Sequence, residues 1–119
     1  MINIKDQIYQ QLNKSLENVT DTYPSSWASI PAIQYTEEEN SVYEWADDKE
    51  VSSYLRYRID IWDNKSTSET ALKVDEIMAD FGLKRISCAD VADPTGLRHK
   101  QMRYEAILDV NQGAIYHKN

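Results

Sequence analysis

Apolar residues change period along this chain, and each change marks an element. Ile4, Ile8, Leu12 and Leu16 recur every four residues, with Tyr9 and Val19 close to the same stripe. That spacing predicts an amphipathic helix over about 2–18. Thr20 to Ser26 reads as a loop, because Pro24 cannot continue a helix, and Trp27 and Ile30 are expected to anchor it to the core. Residues 31–36 read as a first strand opened by Pro31. From Val51 to Asp63 the period becomes two: Leu55, Tyr57, Ile59 and Ile61 fall on one side, and Tyr54, Arg56, Arg58, Asp60 and Trp62 on the other. Ser66-Thr-Ser-Glu69 has the form of a capping box before a second helix over about 68–81. Leu72, Ile77 and Phe81 give that helix its apolar stripe, widened by Ala71, Val74 and Met78, and Gly82 suits its left-handed end. Strands are expected over 83–91 and 98–110, separated by an Asp93-Pro-Thr-Gly96 turn. Asn111 to Gly113 turns the chain again, and 114–116 adds a short edge strand.

The order is therefore α-β-β-α-β-β. The simplest packing is a single α+β domain over 1–119, with two helices on one face of a four-stranded, mainly antiparallel sheet. Residues 37–50 are expected to form a mobile acidic loop, and 111–119 a C-terminal tail.

Charge sharpens the picture of that loop. The chain is −7 overall, yet Glu37, Glu38, Glu39, Glu44, Asp47, Asp48 and Glu50 against Lys49 place −6 in one stretch. The rest of the chain is nearly neutral, and no basic cluster exists to grip a phosphate backbone. The length of 119 residues suffices for a core without disulfides or metals, and the single cysteine, Cys88, permits no intrachain bridge. No apolar run is long enough to cross a membrane. The N-terminus lacks a basic region followed by an apolar stretch, which predicts no signal peptide.

Candidate chemistry is sparse. His99 and His117 are far apart in sequence, Cys88 lacks a CxxC partner, and no GxSxG or glycine-rich phosphate loop occurs. The expectation is no metal, no cofactor and no catalytic residue. Paired carboxylates in a flexible loop stay solvated, whereas catalysis needs shifted pKa values; weak calcium binding there would lack the EF-hand spacing.

The polar side of the 51–63 strand carries more signal. Tyr54, Arg56, Arg58, Asp60 and Trp62 mix aromatics and arginines in proportions enriched at interfaces. Arg103, Glu105, Ile107 and Asp109 share the matching side of the last strand, and neighbouring strands would pair their charges. One reading is a solvent face with charge ladders; the other is a subunit contact anchored by Tyr54, Trp62 and Ile107.

The order of elements, with Ile30-Pro-Ala-Ile-Gln-Tyr35, Tyr57-Arg-Ile-Asp-Ile-Trp62, Ile77-Met-Ala-Asp-Phe-Gly-Leu-Lys-Arg85 and Lys100-Gln-Met-Arg-Tyr104, resembles the tail-completion or tail-terminator proteins of long-tailed bacteriophages and prophages over about residues 2–110. That resemblance implies a non-enzymatic virion tail protein, made in the bacterial host cytoplasm and assembled as a hexameric ring. Such a ring stops tail-tube growth and docks to the head–tail connector protein. Its partners would be further copies of itself, the tail-tube protein and the connector, with DNA passing through the lumen without specific binding. An acidic lumen would repel phosphates and avoid sticking. A different class stays open on the −6 stretch: an acidic module that binds or inhibits a basic partner. A hydrolase using loop carboxylates is a third.

Overall fold

The protein is described by a computed structural model covering residues 1–110 together with the backbone of Ile115 and Tyr116. Its elements are α1 (Lys5–Ser15), β1 (Asn18–Thr20), β2 (Ala32–Ala46), β3 (Lys49–Asp63), α2 (Ser68–Asp80), β4 (Lys84–Val91), β5 (Arg98–Asp109) and β6 (Ile115–Tyr116). The α+β class and the two helices agree with the sequence reading, but the four-stranded, mainly antiparallel sheet does not. The sheet is mixed, with the order β1-β2-β3-β5-β4 and β6 paired to β5. The missed member is β1, which runs parallel to β2 through Asn18–Ala32, Val19–Ile33 and Thr20–Gln34. α1 stops at Ser15, Leu16 is extended, and buried Val19 belongs to a strand too short to show a period.

The larger correction concerns residues 37–50. They form strand on both sides of a two-residue turn, not a loop. Asp47 and Asp48 have φ of 51° and 59°, as a type I′ hairpin turn requires at both positions. Asp tolerates this left-handed region better than most side chains do. β2 and β3 thus pair from Ala32–Trp62 to Ala46–Lys49, with irregularities at Glu37/Glu39 and around Glu44. The molecule is accordingly long, 51 × 23 × 22 Å. β3 also pairs antiparallel with β5, from Ser52–Asp109 to Asp63–Arg98.

The period-two assignment of the inner face holds. Leu55, Tyr57, Ile59 and Ile61 are fully buried together with Ile33, Met102, Tyr104 and Leu108. Ile8 and Leu12 of α1 and Val74 and Met78 of α2 cover them in one continuous core. In α2 the buried stripe is Thr70, Ala71, Val74 and Met78, whereas Leu72 is 73% exposed. The capping box does not form: Ser66 Oγ accepts from the Ser68 N–H, and Thr67 caps without a side-chain bond. The other end behaves as expected. Leu83 N–H reaches Met78 O and Gly82 N–H reaches Ala79 O, with Gly82 at φ 80°, the double closure that favours glycine. The Asp93–Gly96 turn closes through Gly96 N–H to Asp93 O. The expected tail over 111–119, with its Asn111–Gly113 turn, lies outside the described residues apart from β6.

Candidate interaction surface

From Ser41 to Ala46 every residue of β2 is exposed. Val42, Tyr43 and Trp45 are about half exposed or more near the hairpin tip. Below it, the outer face of β2, β3 and β5 carries a connected charge network. Register places Arg58 opposite Arg103 and Arg56 opposite Glu105. Two facing arginines would repel, but the β-bulge at Glu38 swings a carboxylate between them. Arg103 Nε donates to Glu38 Oε1 at 3.1 Å, and Arg58 donates to Glu38 Oε2 at 3.4 Å. Arg56 Nε stands 3.4 Å from Glu38 as an ion pair without hydrogen-bond geometry, and 3.8 Å separates Arg56 from Glu39. Tyr54 Oη donates to Glu105 at 2.7 Å; burial and that carboxylate both push its pKa up.

The network continues inward. Arg58 Nε donates to Asp60 Oδ2 at 2.8 Å, and Asp60 Oδ1 lies 2.8 Å from His99 Nε2. His99 stacks on Trp62 with centroids 4.4 Å apart, and its Nδ1 lies 3.3 Å from Asp93. Trp62 Nε1 donates to Asp93 Oδ1 at 3.0 Å. Burial opposes the charge on Asp93, but hydrogen bonds from Thr95 and Trp62 and the nearby His99 outweigh it, and its pKa is lowered. Tyr23 and Trp27, from the loop after β1, pack edge-on against Trp62 at 5.5 and 5.7 Å. This cluster explains why the aromatic loop residues occur where they do.

These positions revise the expected contact residues. Tyr54, Arg56, Arg58, Arg103 and Glu105 do share the outer face and are partly exposed. Asp60 and Trp62 are each 2% exposed and Ile107 9%, so these three are already occupied inside the chain. Period two put all three on the correct side of the sheet; it could not show that the 21–30 loop and the β4–β5 turn fold over the Trp62 end, or that Ile107, beside Tyr54 at the other end of β5, is buried as well. His99, read as an incidental residue beside a turn, is the centre of the buried cluster. An adjacent aromatic and acid across the ladder was the only available signal.

The acidic stretch divides likewise. Glu38 and Glu39 pair with arginines, Glu37 accepts from Asn40, and Glu50 meets the N-terminal amine and Ser53, which lowers its pKa. Glu44, Asp47 and Asp48 are exposed at the tip and make no ion pair among the described residues. Glu44 borders a depression of about 360 Å³ with Tyr43, Val51, Ser52, Ile107 and Asp109. Among the described residues no group of His, Cys, Asp or Glu is arranged to hold a metal ion. No helix among them is long and apolar enough to cross a membrane.

A second exposed element is β4. Seven of its eight residues are exposed, Ile86 and Cys88 among them, and only β5 pairs with it among the described strands. Comparison with models of known protein families finds no match, and comparison with curated proteins finds none either.

Proposed function

We propose that this chain is a structural, non-enzymatic phage tail protein that assembles into a ring at the end of the tail tube, stops tube growth and docks to the head connector. The observation that carries this reading is the hairpin. Its distal part holds Val42, Tyr43 and Trp45 in solvent. Exposed aromatics on a two-stranded ribbon are suited to contact another protein. The motifs that resemble tail-terminator proteins supply the kind of partner: further copies, the tube protein and the connector. Glu44, Asp47 and Asp48 at the tip suit a lumen that DNA traverses without adhering. The acidic-inhibitor alternative is weakened, because Glu37, Glu38, Glu39 and Glu50 are engaged within the chain.

Deleting the gene from its phage or prophage and imaging the lysate by electron microscopy tests the proposal. The expected products are tails of unregulated length and heads without tails. Normal particles from the deletion would sink it.

A further inference from the structure

His99 has an acid at each ring nitrogen. Nε2 lies 2.8 Å from Asp60 Oδ1, and Nδ1 lies 3.3 Å from Asp93 Oδ1. A neutral imidazole has one N–H, so it donates to one carboxylate and turns a lone pair toward the other. With Nε2 bonded to Asp60, Nδ1 is buried without a hydrogen-bond partner. An imidazolium carries a proton on both nitrogens and has no such conflict.

Charge points the same way. The side chains of Asp60, Asp93 and His99 are 3%, 6% and 10% exposed, so water compensates them little. Facing the ring are Asp60 from β3, with Arg58 2.8 Å behind it, and Asp93 from the turn between β4 and β5. Arg58 is shared with Glu38. Tyr23, from the loop after β1, packs on Trp62, on which the ring stacks. Val91, opposite His99 on β4, brings no charge. Arg98 and Lys100 flank His99 along β5 and alternate to the other side of the sheet, where Lys100 pairs with Asp90 at 2.9 Å. Two buried carboxylates thus face one ring with one shared guanidinium, and a proton on the ring supplies the missing positive charge.

We infer that His99 is a proton-operated clamp: as imidazolium it ties Asp60 of β3 to Asp93 of the β4–β5 turn, and on losing its proton it lets that turn go. Asp93 also accepts from Trp62 Nε1 and from the Thr95 N–H, and Tyr23 and Trp27 pack on Trp62. Release of Asp93 therefore loosens both the turn and the 21–30 loop, which together close this end of the sheet. The contribution is present while the ring is charged and is lost as pH rises through its titration. Asp93, its own pKa lowered, stays ionised across that range. The clamp is independent of what the chain assembles with.

His117 is the other histidine, so a His117→Gln background leaves one ring to read. Imidazole nitrogen shifts in NMR report its protonation from roughly pH 5 to roughly pH 9. Exchange of the Trp62 indole N–H and the Thr95 amide, both donors to Asp93, reports opening once corrected for intrinsic pH dependence. The expected result is a ring protonated on both nitrogens at the acid end. Protection of the two reporters should fall roughly tenfold as the ring titrates, with the amides of α1 and α2 unchanged. His99→Gln should make that protection independent of pH over the same interval, and Asp93→Asn should do so for the Thr95 amide without removing the ring. A ring neutral at the acid end, a ring in one protonation state throughout, equal protection on either side of its titration, or the same pH dependence in Asp93→Asn would each overturn the inference.

Discussion

Replacing Glu38 by Gln removes one charge from the point where three arginines converge. The shape is kept and an acceptor oxygen remains, so the change isolates the electrostatic share. A unit pair about 3.4 Å apart is worth about 1 kcal/mol at the dielectric of water and about 5 kcal/mol at an effective dielectric of 20. The arginine side chains are 37%, 28% and 36% exposed, which argues for the solvent-screened end. Glu38 itself is only 15% exposed, which places each pair near the top of the exposed-pair range of about 0.2–1 kcal/mol. Arg58 retains Asp60 at 2.8 Å and Arg56 retains Glu39 at 3.8 Å, whereas Arg103 pairs with Glu38 alone among the described ion pairs. Arg103 should therefore carry about 1 kcal/mol and the other two a few tenths each. The total is about 1.5–2 kcal/mol, or a Tm lower by about 5–10 °C for a chain of this size.

Urea denaturation at pH 7 measures the loss, and double-mutant cycles apportion it. Glu38→Gln with Arg103→Met should show the largest coupling, and Glu38→Gln with Arg56→Met little. High salt should shrink both. A Glu38→Gln variant within about 0.5 kcal/mol of wild type at low salt, with no coupling to Arg103, would refute the claim that the bulge exists to separate facing arginines.

Further outcomes follow from the same packing. Trp62→Ala should cost about 3–5 kcal/mol, measured by denaturation, because its ring fills a buried cluster rather than a subunit contact. Asp48→Gly should stabilise by about 0.5–1 kcal/mol, since glycine relieves the left-handed turn position, and Asp48→Val should destabilise; thermal melts separate the two. Gly82→Ala should cost about 1 kcal/mol in the same assay, because φ is 80°. Asp93 has its folded pKa depressed, so its contribution is present above the ordinary value of 3.8 and is lost as pH falls through the folded one. Wild type should therefore lose more stability than Asp93→Asn between pH 5 and pH 2, read from urea midpoints at each pH.

How much of this was legible in the sequence depended on the range of the forces involved. α1, α2 and the inner sides of β3 and β5 follow from periodicity, because burial against one core imposes one period. Residues 37–46 were misread because their charges look solvated in isolation. Glu38 is neutralised by Arg56, Arg58 and Arg103, and Arg103 lies 65 positions away, a distance at which local propensity carries no information. The same blindness affected Trp62. Its partners Tyr23, Trp27 and Asp93 come from loops flanking other strands and His99 from the neighbouring strand β5, so its side of the strand was readable while its burial was not.

That difference moves the assembly question from the face of the sheet to its edges. A face whose arginines are satisfied by Glu38, Asp60 and Glu39 has little to gain from a partner, since any contact must first desolvate pairs that already balance. The edges are otherwise placed. Backbone groups along β4 and distal β2 face no strand among the described residues, and pairing them adds ladder hydrogen bonds without breaking any ion pair on the sheet face. Exposed Val42, Tyr43 and Trp45 would add apolar burial to a contact there. Substitutions at Arg56 or Arg58 should therefore register first in stability, and substitutions along 41–45 and 87–91 first in association. Comparing urea midpoints with sedimentation for the two groups distinguishes an edge contact from a face contact. If Arg56→Ala abolished association while leaving the urea midpoint unchanged, the face would be the interface after all.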